Sequence, residues 1–197
     1  MDLYVETRER MLAKDREIWL YCASHKCVYL NIGCGDSIYA GAINIDKYVR
    51  RKDALPADAL YLPFKDGTVE FIYSAHSLEH LTIRDGKKAL KAWYRALKPN
   101  GRLIIELPDL EAICHNVLNY TNPQQLQWNL YTMFGYQIDP RNPDSLDAPV
   151  DLGQFHMSGY TQTSLCLELA MLGFEIKEFL HTDGYGTPNM HVDAYKR

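Results

Sequence analysis

Two neighbouring features constrain this chain most. The stretch Tyr29-Leu30-Asn31-Ile32-Gly33-Cys34-Gly35 comes first, and Asp46 follows Ile43-Asn44-Ile45 only 11 positions after Gly35. Val28 to Ile32 is a short, largely apolar run with β-branched and aromatic members, bounded by glycine, and reads as a buried parallel strand. Glycines just past such a strand let a ligand approach the backbone at the carboxyl edge, where open α/β sheets bind their ligands. An acid at the tip of the second strand, Ile43–Ile45, can accept hydrogen bonds from both hydroxyls of a ribose, or can simply serve a turn. Dinucleotide-binding folds place that acid about 20 residues on. Here the first crossover has room for only a turn or so, and Asp36, Ser37, Ile38 and Tyr39 are expected as a loop, with Tyr39 within reach of the site. The third glycine or alanine of a dinucleotide fingerprint would stand at Ile38, and no long helix is left to hold a pyrophosphate. A nicotinamide dinucleotide is disfavoured on both counts.

The rest of the chain fits a mostly parallel sheet. A weak third strand is expected near Ala54–Ala57, a fourth over Val69–Tyr73 and a fifth over Leu103–Leu107. Thr82 and Asp85 resemble a capping box ahead of a helix whose apolar face carries Ala89, Leu90, Trp93, Tyr94 and Leu97, and Pro99-Asn100-Gly101 stops it. Strand, helix, strand in that order implies a right-handed crossover. Near the end, Thr161 or Thr163 caps a helix with Leu165, Leu169 and Leu172 on one face, closed by Gly173. Strands at Phe174–Leu180 and Met190–Tyr195 follow, joined by the turn-rich residues Asp183 to Pro188. Residues 4–22 read as an amphipathic helix within an N-terminal segment 1–25. Residues 110–158 read as an inserted cap of two helices (Leu110 to Leu118, then Asn122 to Phe134) and a long lid-like loop. All of 1–197 is expected to form a single domain.

Composition narrows the setting. Lys and Arg total 21 against 25 Asp and Glu, a net charge of −4, so the whole chain carries no electrostatic footprint for nucleic acid. The five cysteines (Cys22, Cys27, Cys34, Cys114, Cys166) are odd in number and form no CxxC pair or zinc-spaced cluster, which favours a reduced compartment. The opening residues lack the apolar core of a signal peptide, and no apolar run is long enough for a membrane span. A soluble, cytoplasmic protein is expected, with neither nucleic acid nor membrane as partner.

Asp58, followed by Ala59, Leu60 and Leu62-Pro63-Phe64, can accept a bond from an adenine amino group while apolar neighbours cover the ring. Beyond it lies Ser74-Ala75-His76-Ser77-Leu78-Glu79-His80. In this order, together with Asn31-Ile32-Gly33-Cys34-Gly35, Asp46 and Leu97-Lys98-Pro99-Asn100-Gly101, these motifs resemble the class I S-adenosylmethionine-dependent methyltransferases of the type 11 group. The resemblance runs from about residue 28 to 109. It implies a three-layer Rossmann-like α/β fold whose seven-stranded, mostly parallel sheet ends in an antiparallel hairpin. It also implies S-adenosylmethionine as cofactor, leaving S-adenosylhomocysteine as product. Gly33, Cys34 and Gly35 would flank the methionine portion, Asp46 would meet the ribose, and Asp58 with the Ala59 backbone would meet adenine. Ser74 and His76 would lie beside the sulfonium. Glu79 and His80 read as structural, tying the strand to the next helix. The shortened first crossover matches a subgroup often linked with surface-polysaccharide pathways, an association of analogy only.

The expected reaction is methyl transfer to an oxygen or nitrogen of a small-molecule or saccharide acceptor. The alternative is a noncatalytic S-adenosylmethionine-binding or assembly protein of the same fold, which the heptad-like first helix and a possible homodimer would suit. No metal is expected. His156, at the return of the long loop, is the candidate base, with a loop-pinning histidine as the other reading. Asp109, just past the fifth strand, either meets the acceptor or caps the next helix. Neither the acceptor, nor oxygen against nitrogen, nor the oligomeric state is legible in the sequence.

Overall fold

The computed structural model describes residues 28–48, 52–135, 152–184 and 187–197. The expected helix over 4–22 and most of the long loop lie outside them. Among the described residues the sheet has six strands: β1 (Tyr29–Ile32), β2 (Ile43–Ile45), β3 (Val69–Ala75), β4 (Leu97–Pro108), β5 (Phe174–Gly184) and β6 (Thr187–Lys196). Their spatial order is β2-β1-β3-β4-β6-β5. The first four run parallel, and β6 pairs antiparallel with both β4 and β5, as the expected hairpin requires.

The expected seventh strand is a correction. Near Ala54–Ala57 it contracts to one bridge, Leu55 against Ile45. Leu55 exchanges two backbone bonds with β2 and its exit, Leu55 N–H to the Asn44 carbonyl (2.7 Å) and Asp46 N–H to the Leu55 carbonyl (3.0 Å).

Helix α1 (Ile83–Ala96) begins where Thr82 accepts a bond from the Asp85 N–H and buries Ala89, Leu90, Trp93 and Ala96. It shares one core with α4 (Gln162–Leu172), which contributes Leu165 and Leu169, over the sheet face carrying Ile72, Leu103, Ile105, Val192 and Ala194. Each fully buried aliphatic side chain there contributes about 1.5–3 kcal/mol of transfer free energy. Thr161 and Ser164 cap α4 reciprocally, and Gly173 ends it in the left-handed conformation. The opposite sheet face mixes polar side chains (Tyr73, Arg102, Glu106, His191 and Asp193) with the apolar Phe71 and Ile104 in the same register. Helices α2 (Leu110–Leu118) and α3 (Pro123–Phe134) pack on each other and on β6. The fold thus brings the ends of β1, β2, β3 and β4 to one edge.

Candidate functional site

At that edge the first crossover is a loop. Asn31 and Asn44, in register on β1 and β2, are both buried. Asn31 Nδ2 donates to the Ser37 carbonyl (2.7 Å) and to Asn44 Oδ1 (2.9 Å). Asn44 Oδ1 also accepts from the Tyr39 N–H, and Asn44 Nδ2 donates to the Tyr39 and Ala42 carbonyls. These two amides satisfy the backbone that a crossover helix would otherwise have satisfied internally. Polar residues at interior strand positions were the sequence signal for this arrangement, and sequence reasoning missed it. Tyr39 itself packs edge-on against Tyr73 at 5.4 Å.

Gly33 and Gly35 both have positive φ, +70° and +49°. Their surroundings differ. A side chain at Gly33 would run into Ser77, so that glycine is required by the turn after β3; at Gly35 a Cβ would meet nothing within 4 Å. Open approach therefore exists at Gly35. Cys34, between them, is buried, and its N–H and that of Gly33 both donate to the Ile45 carbonyl. Asp46 binds the two sides of the site: Oδ2 accepts from the Gly35 N–H (3.0 Å) and Oδ1 from the Tyr48 N–H (2.8 Å).

Asp58 Oδ1 accepts from the Leu60 N–H (3.0 Å), and Oδ2 pairs with Lys47 (3.0 Å), joining the two acid-bearing loops. The Ala59 carbonyl accepts from the Trp93 indole (3.0 Å), which leaves the Ala59 N–H as the group suited to a base edge. Ser74 is buried on β3, and its hydroxyl has no hydrogen-bond partner. His76 follows it with φ +48°, 39% exposed along its side chain, its Nε2 3.4 Å from Asn189 Nδ2 and its Nδ1 3.3 Å from Glu79. The neighbouring Glu79 carboxylate raises the His76 pKa against the opposing effect of burial. Burial alone would raise the Glu79 pKa, but His76, His80 and His156 together hold it below the usual range.

The two proposed acid–base residues are both engaged. Asp109 is 2% exposed; Oδ1 caps α2 through the Glu111 and Ala112 N–H groups, and Oδ2 lies 2.9 Å from His181 Nδ1. The His156 N–H donates to the Phe134 carbonyl, and its ring meets His80 edge-on at 4.8 Å. Burial lowers the His156 pKa. These contacts match the capping and loop-pinning readings of the two residues. A further cluster, absent from the sequence reading, spans three strands. Glu106 accepts from the Tyr73 hydroxyl (2.7 Å) and lies 2.8 Å from His191 Nδ1.

A parallel sheet with an antiparallel terminal hairpin, and glycines and two carboxylates at one edge, define the class I methyltransferase fold. A family model described as a methyltransferase domain matches residues 38–105. A ubiquinone/menaquinone biosynthesis C-methyltransferase from Saccharophagus degradans is 33% identical over 112 residues, which is 56% of this chain but only 37% of that relative. Among solved structures, an S-adenosylmethionine-dependent methyltransferase from Methanosarcina mazei aligns at TM-score 0.61 and 15% identity, over 95% of this chain and 99% of its own. The 1,6-didemethyltoxoflavin N1-methyltransferase of Burkholderia thailandensis, solved with its substrate and S-adenosylhomocysteine, aligns at 0.58 and 12% identity, over 92% and 82%. In fold the chain is similar to class I S-adenosylmethionine-dependent methyltransferases, and over residues 38–105 its sequence is similar to the methyltransferase-domain family.

Proposed function

We propose that this chain transfers a methyl group from S-adenosylmethionine to an oxygen or nitrogen of a small-molecule or saccharide acceptor. The observation that carries the reading is the Gly35–Asp46 link. A carboxylate sits at the tip of β2, accepting from the N–H of a glycine beside open space. The residues fit the cofactor: Asp46 would hold the ribose hydroxyls, and Asp58 with the Ala59 N–H would hold adenine. The exposed edge of His76 would border the methionine portion. When bound, S-adenosylmethionine supplies a methyl carbon on a positively charged sulfur, already activated for displacement. The protein's task is then to orient an acceptor in line with that bond, and positioning supplies most of the catalysis. The name of the Saccharophagus relative adds carbon as a possible acceptor atom.

A noncatalytic cofactor-binding role is the second reading. It is favoured by the structural engagement of Asp109, whose two oxygens cap α2 and meet His181. Calorimetry on the full chain separates the readings from their rivals. S-adenosylhomocysteine is expected to bind, and Asp46→Ala to weaken it by about 1–3 kcal/mol through lost hydrogen bonds. Methyl transfer across oxygen, nitrogen and carbon acceptors then separates enzyme from binder. No binding of S-adenosylhomocysteine alongside a thermal shift with NAD(P)H would overturn both.

A further inference from the structure

Glu79 is 1% exposed in the short 3-10 turn Leu78–His80 that follows β3, and neither of its carboxylate oxygens receives a well-directed hydrogen bond. His76 Nδ1 approaches one of them at 3.3 Å without hydrogen-bond geometry. A carboxylate removed from water in this way needs a cationic partner. Two more imidazoles converge on it: one donor atom each of Glu79, His80 and His156 lie within 4.8 Å of one another.

The His80 tautomer is fixed from outside the cluster. His80 Nδ1 lies 3.1 Å from the Phe155 carbonyl oxygen, which can only accept, so Nδ1 carries the hydrogen and Nε2 keeps its lone pair. Two imidazoles and a buried carboxylate thus converge, with the His80 Nδ1–H turned away to a backbone carbonyl. An imidazole N–H given to a backbone carbonyl is how proteins orient the opposite nitrogen toward a metal.

We propose that Glu79, His80 and His156 form a binding site for a zinc-type first-row divalent cation. Two imidazoles and a carboxylate suit such an ion, whereas magnesium and calcium take oxygen ligands. Ligand atoms around a tetrahedral zinc lie about 3.4 Å apart, so the three close in by about an ångström on binding. The ion clamps the returning loop to the sheet edge, where the Met157 and Ser158 N–H groups already donate to the Glu79 carbonyl. The site is independent of the methyl-transfer reading.

The test is titration of the metal-stripped full chain with Co2+, followed by its visible absorption. One equivalent is expected to bind and to be displaced by Zn2+ but not by Mg2+. Glu79→Gln and His156→Asn are each expected to weaken it at least about tenfold, while His115→Asn, on the exposed side of α2, leaves it unchanged. Zn2+ is expected to raise the melting temperature of the wild type and not that of Glu79→Gln. Should either variant fail to fold, the wild type still decides: on Zn2+ addition, imidazole 15N resonances shift for two of the seven histidines, His80 and His156. A folded wild type that takes up no Co2+, binding that survives both substitutions, or shifts confined to other histidines would overturn the proposal and leave a shared proton as the cation.

Discussion

At Gly33 two separate costs meet any side chain. The backbone sits at φ +70°, and a Cβ there would collide with the Ser77 side chain. Gly35 carries the first cost alone, at φ +49° with nothing nearby. Backbone strain of this kind costs about 1–3 kcal/mol, so Gly35→Ala is expected to destabilise by that much in urea unfolding. Gly33→Ala is expected to cost measurably more, and Ser77→Gly placed in the same chain should recover only the excess. Equal midpoints for Gly33→Ala and Gly35→Ala would mean that Ser77 moves aside freely. The two glycines were visible in the sequence as a place of close approach. What approaches Gly33 was not visible, because Ser77 reaches it only once β1 and β3 pair.

The same division runs through the elements. Helix α1 was legible from Thr82 and the spacing of Ala89, Leu90 and Trp93, because caps and periodicity act within a few residues; it ends at Ala96, ahead of the expected Pro99-Asn100-Gly101 stop, and Leu97 already opens β4. Strands β5 and β6 and the capped α4 were legible for the same reason. The loop that replaces the first crossover helix was anticipated from the 11-residue spacing. Its fastening by Asn31 and Asn44 was not, since that depends on two strands lying in register. The shrinkage of the third strand to Leu55, and the burial of both Asp109 oxygens, likewise follow from tertiary pairing that no local pattern encodes. Gly86 offers a test at this scale. Helix propensity alone favours alanine over glycine by about 1 kcal/mol, yet a Cβ at Gly86 would meet the Tyr160 hydroxyl. That hydroxyl is buried without a well-directed hydrogen bond, so Tyr160→Phe should be neutral or stabilising. Gly86→Ala is expected to destabilise the wild type and to stabilise the Tyr160→Phe background, a sign reversal read from the two thermal midpoints. Stabilisation in both backgrounds would show that the α1–Tyr160 contact is loose.

At the scale of the whole molecule, Glu106 fastens the junction where the parallel and antiparallel halves of the sheet meet. It accepts from Tyr73 on β3 and lies 2.8 Å from His191 on β6, while itself standing on β4. Burial works to raise its pKa, but the hydrogen bonds from His191 and Tyr73 outweigh that and hold it below the ordinary 4.5. The sign of the linkage follows. Between the folded and unfolded pKa values the unfolded chain binds more protons, so stability rises with pH through that window. The contribution is complete above the unfolded value and is lost as pH falls through the folded one. Glu106→Gln has no such proton to bind. Its unfolding free energy is expected to lie below that of the wild type at neutral pH, with the gap narrowing as pH drops beneath 4.5. Urea midpoints taken across a pH series measure that gap directly. A gap that stays constant on acidification would mean that the carboxylate is held by shape alone, and that the charge on Glu106 contributes nothing to joining the two halves of the sheet.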